Sequence, residues 1–208
     1  MKPKAAAPPR VWQRMLSGRR LDLADPSPFD IEISDIAHGL ARVARWNGQT
    51  SGAHAFSVAQ HSVLVEEIAG LADPALSPAG RLAALLHDAP EYVVGDMISP
   101  FKALVGGEYK VVEARLQAAI HLRFGLPADR AASLTEAIKA ADRVAAFFEA
   151  TELAGFTANE AAKYFGRPRG LHREQLALEP WPTAEAEQRF LARFAALVEA
   201  LAPPTVSA

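Results

Sequence analysis

The stretch that decides the fold is residues 77–96, SPAGRLAALLHDAPEYVVGD. Its opening Ser-Pro pair is typical of a helix start, because the serine hydroxyl can accept from a free backbone amide and proline already has a helical φ. Leucines at three- and four-residue spacing then predict an amphipathic helix. The dipeptide His87-Asp88 comes next, before Pro90 and Gly95 interrupt the pattern. Two metal-ligand side chains thus follow an apolar helix directly.

A second helix is predicted on the N-terminal side of this stretch. Ser57 can cap its first turn, and Gly70 is a typical stop signal. The side predicted to be buried consists of Val58, His61, Val65 and Ile68. His61 is therefore expected to face inward.

A long helix is predicted on the C-terminal side. The segment Ser133–Glu136 fits the S-x-x-E capping box, and the apolar spacing continues to about Ala154. Asp142 lies in the middle of this helix, beside the positions expected to face the core. An ionisable side chain among apolar neighbours needs a partner.

The remaining pattern predicts an all-α bundle of roughly six to nine helices with at most a minor β-hairpin. Further helices are expected over 34–46, with Ser34 as the cap, over Glu108–Phe124 with a stop at Gly125, and over 184–201. Short strands are expected at 21–23 and 176–178, paired with each other.

Composition excludes several classes of protein. The chain has 208 residues, 50% of them hydrophobic, which is enough to fold and form one core. We expect a single domain over residues 11–202, with flexible tails over 1–10 and 203–208. Lys and Arg number 22 against 24 Asp and Glu, and the net charge of −2 gives no overall field that would attract a nucleic-acid polymer.

The absence of cysteine limits the chemistry further. With no Cys, disulfide scaffolds, thiolate zinc sites and cysteine nucleophiles are excluded, and any metal must be bound by His and carboxylate ligands. No apolar stretch is long enough for a transmembrane helix, and no signal sequence is recognisable. The expectation is a cytoplasmic protein without a membrane partner.

Three predicted helices therefore contribute inward ligands, and the set is His61, His87, Asp88 and Asp142. A single inward histidine is more often a hydrogen-bonded core residue than a ligand. Two imidazoles and two carboxylates together, however, suit a divalent metal with an open coordination position.

At this point the sequence resembles the HD-domain metal-dependent phosphohydrolases. The resemblance is carried by VAQHS at 58–62, HDAPEYVVGD at 87–96 and KAAD at 139–142, and it extends over about residues 34–153. These strings are most similar to the 5′-deoxynucleotidase branch, which is related to phage deoxynucleoside triphosphate hydrolases. The resemblance implies an HD-type helical bundle.

The resemblance also implies one divalent metal ion, which could be Mn, Co, Zn, Fe, Ni or Mg. Its ligands would be His61, His87, Asp88 and Asp142. A second ion is not expected, because the additional histidines of binuclear HD enzymes have no clear match here.

Two carboxylates are the implied catalytic residues. Glu91 follows His87 by four residues, so both are expected on one helix face, and Glu91 matches the acid/base of the nucleotidase branch. Asp96 matches an aspartate beside the reacting water or phosphate. The alternatives are a solvated glutamate and a turn residue.

Four further residues are candidates for substrate binding. Arg45 and Trp46 resemble a pair that deoxynucleotidases use for the phosphate and the sugar, and Lys102 could add a positive charge. His54, seven residues before His61, could meet a phosphate at the mouth of the site. The alternatives are a core Trp with a surface Arg, and a solvated Lys.

One residue departs from the family pattern. Gln60 occupies the position before His61 where deoxynucleotidases usually have an acidic residue, so the second shell of the metal is expected to differ.

The function implied is hydrolysis of a nucleotide, most simply a deoxynucleoside 5′-monophosphate. Two alternatives stay open, namely a deoxynucleoside triphosphate triphosphohydrolase and a non-catalytic, metal-bound nucleotide sensor. A homodimer is compatible with the apolar C-terminal helix.

Overall fold

The computed structural model describes residues 10–105 and 107–201, which form nine α-helices and one two-stranded antiparallel sheet. The strands are β1 (Trp12–Arg14) and β2 (Arg20–Asp22). The helices are α1 (Ile33–Leu40), α2 (Val58–Ala72), α3 (Pro78–Leu85), α4 (Glu91–Val94), α5 (Ser99–Val105), α6 (Glu108–Arg123), α7 (Ala132–Glu152), α8 (Ala158–Phe165) and α9 (Thr183–Leu201). The predicted all-α class with a minor hairpin is confirmed.

Of the tails predicted over 1–10 and 203–208, only Arg10 belongs to the part of the chain that the structure describes. Residues 1–9 and 203–208 lie outside the described part of the chain. Within 10–105 and 107–201, none of the helices combines the length and the apolar character that crossing a membrane requires.

Helix α2 is at the centre of the bundle. Eleven of its fifteen residues are buried, and it packs against α3, α7 and α9. A helix that is buried all round holds its polar side chains away from water, so each of them needs a partner within the protein. Gln60, His61 and Glu66 are three such side chains on α2.

The partners of Glu66 explain why the predicted stop at Gly70 is wrong. Glu66 forms ion pairs with Arg81 of α3 and Arg193 of α9. A Cβ on Gly70 would lie 2.8 Å from the guanidinium carbon of Arg81. Glycine at this position therefore admits the arginine, and α2 continues to Ala72.

Two of the predicted helix caps are confirmed. The Ser57 hydroxyl accepts from the Gln60 amide at 3.2 Å, and the Ser77 hydroxyl accepts from the Gly80 amide at 3.1 Å. The predicted stop at Gly125 is also confirmed, because α6 ends at Arg123 and Gly125 has a φ of +75°.

The other two predicted caps are wrong. Helix α1 begins at Ile33 and α7 at Ala132, so Ser34 and Ser133 are already helical and cannot act as N-caps. A capping box does exist elsewhere, where the Thr157 hydroxyl accepts from the Glu160 amide and the Glu160 carboxylate accepts from the Thr157 amide. It opens α8, a helix that the sequence pattern did not predict.

The predicted strand pair is also wrong. Strand β2 pairs with β1 in the register Gln13 to Leu21, because a tight turn between them closes a short loop at little entropic cost. The carbonyl of Ala177 accepts instead from the Gln60 side chain, as does that of Glu179.

Close packing of α1 on α4 depends on Gly39. A Cβ at this position would lie 2.8 Å from the Tyr92 Cβ and 3.0 Å from the Tyr92 carbonyl oxygen, so backbone atoms would have to move. Gly39→Ala is expected to lower the free energy of unfolding by about 1–3 kcal/mol, measured by urea denaturation.

The matched control is Gly107→Ala. A Cβ there meets no atom within 4 Å, and the residue has an ordinary negative φ of −80°. This variant should be neutral or slightly stabilising. Equal destabilisation of both variants would contradict the packing argument.

Candidate metal centre

Three helical segments bring imidazoles and carboxylates to one point. His61 lies in the first turn of α2, His87 and Asp88 follow α3, and Asp142 lies in the middle of α7. His61 Nε2 is 3.4 Å from Asp88 Oδ2, and His87 Nε2 is 3.2 Å from the same oxygen. One ligand atom from each of these three residues lies within 4.8 Å of the others.

Asp142 is attached to this group through one contact. Its Oδ1 is 3.3 Å from His61 Nε2, but Asp142 does not belong to the compact group of three. The predicted ligand set is therefore shown for His61, His87 and Asp88 as residues that could bind a metal ion. Asp142 is positioned to be a fourth ligand.

The hydrogen bond made by one nitrogen of each imidazole determines which other ring nitrogen keeps a lone pair that could bind a metal. His87 Nδ1 lies 2.9 Å from the Ala84 carbonyl oxygen, and His61 Nδ1 lies 2.6 Å from Glu149 Oε1. Both partners are acceptors, so in a neutral imidazole the proton is on Nδ1 and the lone pair is on Nε2.

Both Nε2 atoms are buried and have no hydrogen-bond partner among the described residues. When both imidazoles are neutral, their two lone pairs and the carboxylate of Asp88 converge without a donor among them. Such an arrangement is costly unless a cation binds. Burial works to lower the pKa of His61, but the carboxylates around it raise that pKa well above the usual value, which shows that this place favours a positive charge. The donor set fits a divalent metal ion, and it suits Zn, Mn, Fe or Co better than Ca, which prefers oxygen ligands.

The residue that sequence reasoning missed is Glu149. It is fully buried on α7, and its carboxylate accepts from Trp46 Nε1 at 2.9 Å and from Arg45 Nε at 3.3 Å, in addition to His61 Nδ1. Burial works to raise its pKa, but Arg45 and His61 outweigh this and hold the pKa of Glu149 at about 2. The charged carboxylate therefore orients a metal ligand and an Arg-Trp pair together.

A signal for Glu149 was present in the sequence. It lies seven residues after Asp142, which is two helical turns, so both side chains are on the same face of α7.

Gln60, by contrast, does not change the surroundings of the metal ligands. Its side chain donates to the Ala177 and Glu179 carbonyls and accepts from the Trp181 amide.

The backbone at Trp46 is unusual. Trp46 and Asn47 have φ values of +57° and +51°, a left-handed conformation that is rare for a bulky residue. Strain of this kind persists only where surrounding contacts hold it. The bond from Trp46 Nε1 to Glu149 and the bond from the Arg45 amide to the Phe56 carbonyl supply such contacts.

Arg45 is held between two carboxylates but keeps one free edge. Its Nε faces Glu149, and its Nη1 lies 3.2 Å from Asp96 Oδ2. Its Nη2 makes no hydrogen bond to the described residues. Arg45 also lines the cavity described below, and a guanidinium in such a position can bind an anionic ligand.

Glu91 is the carboxylate with the most strongly raised pKa in the site. It is 2% exposed, and its Oε2 has no hydrogen-bond partner among the described residues. Burial raises the pKa of Glu91 to about 9, and the nearby charges of Asp88 and Asp96 contribute. Glu91 is therefore protonated at neutral pH, although Lys102 Nζ lies 3.6 Å from its Oε1.

The expectation that His87 and Glu91 share one helix face is wrong. Helix α3 ends at Leu85, residues 86–90 form turns, and Glu91 begins α4. Proline at position 90 has no amide to donate to the Leu86 carbonyl, so a continuous helix through residues 86–90 is disfavoured. The two side chains approach the cluster from different elements.

A cavity of about 890 Å³ opens beside the cluster, which is within the size range of small-molecule sites. Its ionisable lining residues are Asp88, Glu91, Asp96, Asp142, Arg45, Lys102 and Arg143. Its aromatic lining residues are Trp46, Phe156, Tyr164 and Phe165. Among the predicted substrate residues, Arg45, Trp46 and Lys102 are thus brought together. His54 is exposed and does not line the cavity.

The fold and the cluster define an all-α protein with a possible His-Asp metal centre, and comparison with known proteins adds its relatives. No protein-family model matches the chain. It is 57% identical over 192 residues to uncharacterized protein RCAP_rcc00048 of Rhodobacter capsulatus, an alignment that covers 92% of this chain and 98% of that protein. The chain belongs to the same family as this protein.

A more distant relative is uncharacterized protein YfdR of Escherichia coli (strain K12). The identity is 33% over 114 residues, which covers 55% of this chain and 58% of that protein. The chain thus spans somewhat more than half the length of this second relative.

The first prediction from the site concerns metal binding. His87→Ala and Asp142→Ala should each lose bound metal while the helical fold is kept, because leucine, isoleucine and phenylalanine contacts dominate the core. Metal analysis and circular dichroism of the purified variants test this. His121→Ala is the control, since this histidine is more buried than His87 but bonds to the Pro127 carbonyl and is not part of the His-Asp group, so metal content should be unchanged. Stoichiometric metal in both test variants would refute the ligand assignment.

The second prediction concerns Glu149→Gln. The amide group of glutamine cannot accept from all three donors, so the Nδ1 proton of His61 loses its acceptor or the Trp46 bond is lost. Metal affinity should fall about 10- to 100-fold, measured by chelator competition. Glu66→Gln removes another buried carboxylate that pairs with two arginines outside the cavity, and it should leave the metal affinity unchanged. Equal losses in both variants would indicate a general effect on stability.

Proposed function

We propose that the protein is a metal-dependent phosphohydrolase that acts on nucleoside 5′-monophosphates, with deoxynucleotides as the preferred substrates. The observation that carries this proposal is the convergence of His61 Nε2, His87 Nε2 and Asp88 beside a cavity that also contains Glu91 and Arg45. A bound divalent ion would supply Lewis-acid polarisation of a phosphoryl oxygen and a lower pKa for a coordinated water. The chain's own residues supply the remaining chemistry.

Arg45 is the residue we assign to the phosphate. Its guanidinium is fixed by Glu149 and Asp96, so its free Nη2 edge points in a defined direction without loss of side-chain entropy on binding. Asp96 thereby orients Arg45 toward the phosphate. Lys102 lines the same cavity and adds a second positive charge.

Glu91 is the residue we assign to proton transfer. In the reaction, a water oxygen bonds to phosphorus, the ester P–O bond breaks, and the leaving 5′-oxygen must gain a proton. One proton of the attacking water stays on the phosphate, and the other restores the acid that protonated the leaving oxygen. A carboxyl group that is still protonated at neutral pH can donate it. The raised pKa of Glu91, caused by burial and by Asp88 and Asp96, suits this role.

Charge balance favours a monophosphate over a triphosphate. Four carboxylates and three cations line the cavity, and one of the carboxylates, Glu91, is protonated at neutral pH. With a divalent ion the lining would carry a small positive charge, comparable in size to the charge of about −2 on a phosphomonoester. A triphosphate carries roughly twice that charge, which this lining would leave partly uncompensated.

The preference for deoxyribose rests on Trp46. Its indole lines the cavity next to Arg45, and the bond to Glu149 limits its rotation. A bulky side chain held beside the sugar would disfavour a 2′-hydroxyl by shape, since rejection needs a rigid obstacle.

The test is a screen of nucleoside mono- and triphosphates with Mn²⁺, Co²⁺ and Mg²⁺, in which orthophosphate and triphosphate are measured separately. The proposal requires orthophosphate release from deoxynucleoside monophosphates. Triphosphate release would indicate the triphosphohydrolase instead. Nucleotide binding without turnover would indicate a sensor, and neither binding nor turnover would refute the nucleotide assignment altogether.

The prediction for catalysis concerns Glu91→Gln, which keeps the size of the side chain and removes the titrating proton. Metal content should be kept, and kcat should fall by a factor of about 10² to 10⁴. Because the protonated form is the active one, the kcat/KM of the wild type should decline as pH rises through the raised pKa of Glu91, and this decline should be absent in the variant.

The control for this variant is Glu66→Gln. Glu66 is also a buried glutamate, but it pairs with Arg81 and Arg193, and none of these three residues lines the cavity. Its kcat should be close to that of the wild type. If Glu91→Gln also retained full kcat, Glu91 would have no part in proton transfer.

A further inference from the structure

The end of the cavity away from the His-Asp cluster has an aromatic lining that the reaction chemistry does not use. Phe156 follows α7, and Tyr164 and Phe165 end α8. Tyr164 is 71% exposed, which is unusual for a large aromatic side chain on an ordered helix. Its ring centroid lies 6.5 Å from that of Phe156 and 6.2 Å from that of Phe165.

This aromatic corner, formed by Phe156, Tyr164 and Phe165, is joined to the metal centre through Trp46. The indole of Trp46 lies 5.7 Å from Phe156 and 5.9 Å from Phe165 between ring centroids. On its other side Trp46 donates to Glu149, which accepts from His61. The cavity wall therefore changes in order from metal ligands, through Arg45 and Trp46, to an exposed aromatic surface.

The corner is firmly supported. Helix α8 begins at the Thr157–Glu160 capping box and packs against α7, and its residue Ala161 is fully buried. A platform held in this way loses little entropy when a flat ligand stacks on it. The exposed Tyr164 ring then offers apolar surface whose burial would be favourable.

A nucleoside 5′-monophosphate presents phosphate, sugar and base in the same order as the three regions of the wall. Resting on the proposed function, we infer that the aromatic corner is the nucleobase seat and that Tyr164 holds the base by stacking. Every base has a π-face, so stacking on this corner is tolerant of base identity. The seat therefore contributes affinity for nucleotides as a class rather than selection among the bases.

A base seat at the aromatic corner would distinguish a nucleotide from a sugar phosphate that has no base. Deoxyribose 5-phosphate has the same phosphate and sugar as a deoxynucleotide but no base, so it would occupy the metal and Trp46 regions and leave the aromatic corner empty. Removing the Tyr164 ring should therefore affect one substrate and spare the other.

The experiment measures kcat/KM for the four deoxynucleoside monophosphates and for deoxyribose 5-phosphate. Tyr164→Ala should lower kcat/KM for all four nucleotides by about 5- to 150-fold, mainly through KM, and should leave deoxyribose 5-phosphate unchanged. Tyr164→Phe keeps the ring and should behave like the wild type. Phe29→Ala removes an equally exposed aromatic outside the cavity and should change neither substrate.

The possible failures are distinguishable. Equal losses for nucleotides and deoxyribose 5-phosphate, or no loss for either, would overturn the base seat while leaving the phosphohydrolase proposal intact. A change for one base only would replace tolerant stacking with base readout and also overturn the inference as stated. A wild-type protein that hydrolyses none of these esters would overturn both the seat and the proposed function.

Discussion

The arrangement of the site depends on one buried carboxylate. Glu149 has no access to water, and each of its hydrogen bonds fixes a different part of the cavity: the tautomer of His61, the direction of Arg45 and the left-handed backbone at Trp46. A charge in this position is stable only because donors surround it, and those donors are held in place only because the charge is there. The metal ligands and the ligand-binding residues are therefore coupled physically through α7.

The second constraint is the burial of α2, whose first nine residues, 58–66, are all buried. Polar residues in this part of the helix must find partners inside the bundle, and three of them do so in different ways. Gln60 binds the backbone of the segment before α9, Glu66 pairs with two arginines, and His61 lies between Glu149 and the aspartates. The first two are contacts inside the bundle, away from the cavity. His61 Nε2 instead lies 3.4 Å from Asp88 and 3.3 Å from Asp142, two residues that line the cavity, and this position distinguishes the candidate site from the structural polar contacts.

Several features of the chain could be predicted because they depend on local sequence. The all-α class follows from apolar spacing, and the caps at Ser57 and Ser77 follow from a hydroxyl before a helical pattern. The four candidate ligands were found because metal-ligand residue types occur at inward positions, and three of them form a compact group.

The local rules failed where tertiary contacts competed with them. Gly70 reads as a helix stop but makes room for Arg81, and residues 176–178 read as a strand although Gln60 binds the Ala177 carbonyl.

The sequence by itself determined the helical class, the donor types available to a metal and the exclusion of thiolate chemistry, since these depend on composition and periodicity alone. Only the tertiary structure decided that Glu149 connects His61 to Trp46, that His87 and Glu91 reach the cluster from separate elements, and that Tyr164 stands exposed at the cavity. The reason is that these relations join residues far apart in the chain. Their distances and protonation depend on how helices pack, and no periodicity within a single helix encodes the position of the next.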